Sequence, residues 1–164
     1  MGNPARIYGI ARATLDCVAA GLTTAGGDHM PPTRQYVADG NLVAWDCEQL
    51  CVSVEDTHSI VGNPAAESQD PDLAMAMRAA TIGIWLVRCC PMMDDDGEPP
   101  TADAIDASAQ VVLADPQIMV DALWNAQQAG QLATCRGLAF QRWTAVGPQG
   151  GLTGGVLRIA VALL

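Results

Sequence analysis

The chain has 164 residues, is half hydrophobic, and sets eight basic residues against eighteen acidic ones for a net charge of −10. Every basic residue is arginine, which excludes a Walker A loop and a lysine Schiff base, while the acidity disfavours nonspecific binding to nucleic-acid phosphate. The length fits one domain over 1–164 with its own core, and no apolar run reaches the ~18 residues a membrane span needs.

The start, Met1-Gly2-Asn3-Pro4, has no basic region ahead of an apolar block, and Arg6 stands where a myristoylation signal needs Ser or Thr. An untargeted soluble protein is expected. Asn3 with Pro4 caps a helix. Ile7, Ile10, Ala11, Leu15, Val18, Ala19 and Leu22 then recur at helical spacing, up to Gly26-Gly27. Pro31-Pro32 marks a connector. The run 34–38, the turn pair Asp39-Gly40 and the run 41–45 predict a β-hairpin. A further strand follows over 49–55, then a long polar loop over 57–72. Residues 73–77 fit either a helical turn or the early part of the next strand.

That next strand, 79–90, is the most apolar stretch and ends at Pro91. With a period of two, Ile82, Ile84 and Leu86 share one face, and Thr81, Trp85, Val87 and Cys89 the other. Both faces are mostly apolar, as in a strand covered on both sides. The acidic run Asp94, Asp95, Asp96, Gly97, Glu98 lacks the ligand spacing of an EF-hand and reads as a solvated loop. Thr101 caps a second helix, which Asp115-Pro116 breaks or kinks before it continues over 117–129 and ends at Gly130. The C-terminus reads as a hairpin with arms 137–146 and 156–163 around a glycine-rich turn. The second arm sets Leu157, Ile159, Val161 and Leu163 on one face and the small Ala160 and Ala162 on the other. The expected class is α+β: a mainly antiparallel sheet packed with an N-terminal helix and a second, Pro-containing helix, closing on a C-terminal β-hairpin.

Six cysteines (17, 47, 51, 89, 90 and 135) form no CxxC pair, and neither His29 nor His58 stands at ligand spacing from another His or Cys. They are expected to be reduced, metal-free, small buried hydrophobes. No Ser/His/Asp order, HExxH or GxSxG is present. A thiol dyad of a cysteine with His58, or a metal-dependent small enzyme, is the catalytic alternative; no catalytic residue and no cofactor is assigned.

Three stretches resemble the tail terminator proteins of long-tailed bacteriophages, in the versions found in phages of actinobacteria. They are Arg34-x-Tyr36-Val37 through Val43-Ala44-Trp45-Asp46-Cys47 with Gln49-Leu50; Val87-Arg88-Cys89-x-Pro91; and Gly147-Pro148-Gln149-Gly150-Gly151-Leu152-x-Gly154. The order of elements resembles that family as well. The resemblance implies a structural virion protein of the tail and neck, assembled in the host cytoplasm. Six copies would form a ring that caps the major tail tube protein and meets head–tail connector proteins, with DNA passing through the lumen without specific binding. An adjacent connector or stopper, or a tail-tube subunit, is the alternative among virion proteins. On this reading Asp94, Asp95, Asp96 and Glu98 are candidates to face the lumen, and Arg142, Val156, Arg158 and Ala160 are candidates for the subunit interface.

Overall fold

The computed structural model describes residues 4–40, 43–46, 48–60, 77–132 and 135–163. Two helices, α1 (Pro4–Ala25) and α2 (Ala102–Gln128), lie on one face of a five-stranded sheet. Its strands are β1 (Gln35–Asp39), β2 (Gln49–Ile60), β3 (Met77–Cys89), β4 (Cys135–Gln149) and β5 (Leu152–Leu163), in the spatial order β1-β2-β3-β5-β4. Three of the four pairings are antiparallel, so the class is α+β as expected. Among the described residues no helix is long and apolar enough to cross a membrane.

The core follows from two periodicities meeting. Ile10, Ala11, Leu15, Val18 and Leu22 make the buried stripe of α1; Met119, Leu123 and Ala126 make that of α2. Facing them are every second residue of three strands: Leu50 and Val52 on β2, Ile82, Ile84 and Leu86 on β3, and Leu157, Ile159 and Val161 on β5. Burial of this set is the main stabilising term, at roughly 25 cal/mol per Å² removed from water. The helices approach most closely where Gly21 meets Ala122.

The sequence reading is corrected at five places. The hairpin over 34–45 does not form. β1 pairs with β2, parallel, from Gln35↔Leu50 to Asp39↔Val54, and the described part of the second arm, 43–46, is not a strand. Side chains hold that segment as a loop: Arg34 pairs with Asp46 at 2.7 Å, Tyr36 donates to Gln49 Oε1 at 2.8 Å, and Gln49 Nε2 donates to the carbonyl of Ala44. Second, β2 runs on to Ile60, into the expected loop, because its far half pairs with the start of β3; 61–72 lie outside the described residues. Of 73–77 only Met77 is described, as the first residue of β3.

Third, Asp115-Pro116 does not end a helix. α2 is continuous through Pro116, since proline removes only one backbone donor and the turn around it is pinned from outside. Fourth, among the described residues both helices pack on one face of β3, that of Ile82, Ile84 and Leu86, while Ala79 and Val87 on the other face are buried as well. Fifth, Cys51 is buried as expected but Cys89, at the end of its strand, is exposed, and Cys47 lies outside the described residues. α1, the Thr101 cap (Oγ1 accepts from Ala104 N at 3.2 Å) and the C-terminal hairpin are present as expected, the hairpin with longer arms, β4 and β5, meeting at a tighter turn.

The external pin on α2 is a buried ion pair. Arg88, 8% exposed, donates from Nε to Asp115 Oδ2 (2.6 Å) and from Nη2 to Oδ1 (3.0 Å). It also donates to the carbonyls of His29 and Met30, each at 3.1 Å, while His29 Nδ1 lies 2.9 Å from Asp115 Oδ1. One guanidinium thus joins the end of β3, the middle of α2 and the short 3₁₀ turn Gly27–His29 that follows α1. Asp115→Ala should destabilise the fold by about 3–5 kcal/mol, because it leaves a buried cation uncompensated. The double variant Arg88→Met/Asp115→Leu should cost less than Asp115→Ala alone. Urea unfolding midpoints of the variants check both statements.

Candidate functional site

The end of the sheet where β3 finishes gathers the three stretches that carry the resemblance. The Cys89 N–H donates to Glu48 Oε1 (2.8 Å) and the Cys90 N–H to the carbonyl of Gly151 (2.8 Å). Leu50 N–H donates to the carbonyl of Arg34 at 3.0 Å. The start of β2, the end of β3 and the β4–β5 turn are thereby stitched into one surface. The turn itself needs left-handed backbone at Gly150 (φ 59) and Gly151 (φ 78), which glycine adopts without steric cost.

The acidic run lies beside this surface. Asp94 Oδ1 accepts from the N–H groups of Asp96 (3.0 Å) and Glu98 (2.9 Å), and its carbonyl accepts from Gly97 at 3.0 Å. The turn is therefore held by its first residue, and Asp94, Asp95, Asp96 and Glu98 all stand exposed. Directly before them in the chain stand two exposed methionines, Met92 (62%) and Met93 (68%); Met30 (48%) and Ile105 (53%) are further exposed apolar side chains. This end of the molecule pairs a small acidic tip with a methionine-rich rim, a combination suited to a protein contact because methionine adapts its shape.

Two depressions were assessed for chemistry. One, of about 250 Å³, is bordered by Asp28, Glu48, Arg88, Cys89, Ser108 and Val112. Two of its three charged groups are committed: Arg88 to Asp115, and Glu48 to the Cys89 N–H. The other, of about 500 Å³, is the outer groove between α1 and α2, lined mainly by small residues with Cys17, Asp121, Asn125 and Gln131. Burial pushes the thiols of Cys17, Cys51 and Cys135 up, so they stay protonated at neutral pH and are poor nucleophiles. Tyr36 is pushed up to about 12, by burial first and then by Cys51 beside it. Among the described residues no group of three or more His, Cys, Asp or Glu could hold a metal ion.

The sheet face away from the helices carries a second ion pair. β2 has a bulge between Val54 and Asp56, which re-aims Glu55 toward β5, where Arg158 Nε meets its Oε2 at 2.7 Å. The pair spans β3, and Gly83 makes room for it: a Cβ there would lie 2.5 Å from Glu55 Oε1 and 3.0 Å from Ser53 Oγ. Trp85 Nε1 donates to that same Ser53 Oγ at 3.1 Å.

Of the interface candidates, Arg142 is exposed on β4 and has no ion-pair partner among the described residues. Val156 is 2% exposed and Arg158 is held by Glu55, so both turn inward; Ala160 is half-buried. The residues that sequence reasoning missed are Asp115, His29, Glu55 and Gly83. A buried aspartate before a mid-helix proline and a lone glycine inside an apolar strand were the available signals. No protein-family model matches the chain, and no curated protein matches it.

Gly83→Ala should displace Glu55 from Arg158 and destabilise the fold by about 1–3 kcal/mol, as overpacking does. In a Glu55→Ala background the same change should cost much less. A double-mutant cycle in urea measures the difference.

Proposed function

We propose that this chain is a structural virion protein, a tail-terminator subunit that forms a ring on the end of a phage tail tube and faces the head–tail connector proteins. The observation that carries the reading is the convergence just described. The three stretches that resemble the family are distant in sequence, yet they are tied into one end of one sheet by the Cys89 N–H on the Glu48 carboxylate and the Cys90 N–H on the Gly151 carbonyl. Their residues build frame: Arg34 with Asp46, Tyr36 with Gln49, Arg88 with Asp115, and glycines in the β4–β5 turn. A shared pattern made of frame residues suits a family whose work is shape. The same end presents the exposed methionine rim and acidic turn, and on this reading it is the axial face that docks on the tail or neck. DNA passes through the lumen past an acidic protein that does not retain it.

Ring formation works against charge. Six copies of a −10 chain make a ring near −60, and that self-repulsion favours separate subunits. Apolar burial drives the opposite way with little salt dependence. Because screening shortens from about 8 Å at physiological ionic strength to about 3 Å at 1 M, added salt should move the free protein from monomer toward ring. Sedimentation velocity across that range reads the outcome, and a ring that falls apart as salt rises would reverse the account.

Duplex DNA should not be retained even at low salt. It presents one charge per ~1.7 Å of axis to a chain without lysine. A retarded band in a gel shift at ~50 mM salt would contradict a passive lumen.

A further inference from the structure

Among the described residues the sheet ends at two edge strands, β1 and β4, and the register places them level with each other. Val37 pairs with Val52, Val52 with Ile84, Ile84 with Leu157, and Leu157 with Trp143. By the same route Ala38 lies level with Arg142, and Tyr36 with Thr144. One parallel and three antiparallel pairings also make β1 and β4 run in opposite directions. A second copy set beside the first, in the same orientation and without axial shift, would therefore bring its β1 to β4 as an antiparallel pair. The faces match too: Val37 and Trp143 lie on the helix side, and Ala38 and Arg142 on the other.

We propose that this head-to-tail contact, β4 of one copy against β1 of the next, is the subunit interface of the ring. The proposal rests on the ring reading above and names the surface that reading requires. Register shifts bound a regular run over 142–146 on β4; in this register 142–145 stand level with 35–38 of β1, and Asp39 is level with Phe140, beyond the irregularity. Unpaired strand edges are templates for addition of another strand. On the helix side, α2 is the helix that packs on β4 and β5, and it carries the exposed Leu113 (69%) and Trp124 (54%), neither of which lines its groove with α1. The 27 residues of α2 span about 40 Å, and a helix on a sheet is roughly 20 Å deep. That flank offers about 800 Å², the share per partner of a standard interface. Arg142, a cation without an acidic neighbour on a chain of net charge −10, fits a second acidic copy as its partner. A contact between unlike surfaces of one molecule closes into a ring when each copy is turned about the ring axis by a fixed fraction of a full rotation, and runs on as an open filament when it is not.

Two blocked variants test the proposal by sedimentation velocity, at the lowest salt at which the wild-type chain assembles. Ala38→Arg sets a long cation opposite Arg142 and blocks the β1 side. The double variant Leu113→Arg/Trp124→Arg blocks the β4 side at positions exposed enough to leave the fold intact, which far-UV circular dichroism verifies. Each variant alone should sediment as a monomer. Their equimolar mixture should form a two-chain complex and grow no further, because one good contact remains per pair. Ala38→Glu, which sets a carboxylate opposite Arg142, should assemble at least as readily as wild type. A mixture that stays monomeric would overturn the proposal. So would an Ala38→Arg protein that assembles normally while the α2 variant does not, since that pattern belongs to a two-fold contact between like surfaces. A wild-type chain that never leaves the monomer overturns the ring itself, which is distinct from a wild-type ring indifferent to both variants.

Discussion

The bidentate contact between Arg88 and Asp115 is the constraint on which the layers depend. Apolar burial holds two helices to a sheet, but burial is non-directional and leaves each helix free to slide along its axis. A guanidinium that satisfies both oxygens of one carboxylate and two carbonyls beyond α1 fixes the axial position of α2 against β3 and of the turn after α1 against both. A buried pair of this kind adds little net stability over an apolar substitute. Its effect here is positional. Arg88 is followed at once by the residues that tie β3 to Glu48 and Gly151, so the docking end of the sheet inherits its geometry from that pin.

The one-sided arrangement has a second consequence. With both helices on one face, the described residues of the opposite face screen the central strand with their own side chains. The Glu55–Arg158 pair and the Trp85–Ser53 bond do this across the glycine notch at Gly83. A polar bridge suits such a face, since Arg158 still reaches water. It also explains why Arg158 is not available to a neighbour, whereas Arg142, one strand further out, is.

Legibility in the sequence tracked how local each cause was. α1 and the covered face of β3 were readable because a single period, helical or alternating, encodes which residues go inside. The Asp94–Glu98 turn was readable as solvated because its hydrogen bonds close within five residues. The β1–β2 region was misread for the opposite reason. Asp39-Gly40 carries a genuine turn signal, but the segment after it is claimed by Arg34–Asp46 and by Gln49, contacts that no local propensity encodes. At Pro116, read as a break or a kink, the helix runs on: the local cost of proline is real, and Arg88, 27 residues before Asp115 in the chain, holds the turn that carries it. Among the candidate site residues, Arg142 could be placed on an exposed strand from sequence alone. The inward turn of Arg158 could not, because it depends on a bulge that only the pairing with β3 reveals.

The absence of lysine has a physical reading in these contacts. Arg12, Arg34, Arg88 and Arg158 are each paired with a carboxylate, and Arg34 also lies 5.2 Å from the centre of the Tyr36 ring. Arg88 makes four directed bonds from one plane, which an ammonium with three rotatable donors cannot reproduce. With most of the described basic groups engaged inside the chain, the unpaired acids dominate the outer surface, and net repulsion between copies follows from the same choice that rigidifies each copy. On the ring reading proposed above, a chain built this way is stiff and closes only where apolar edges and a docking surface are presented together.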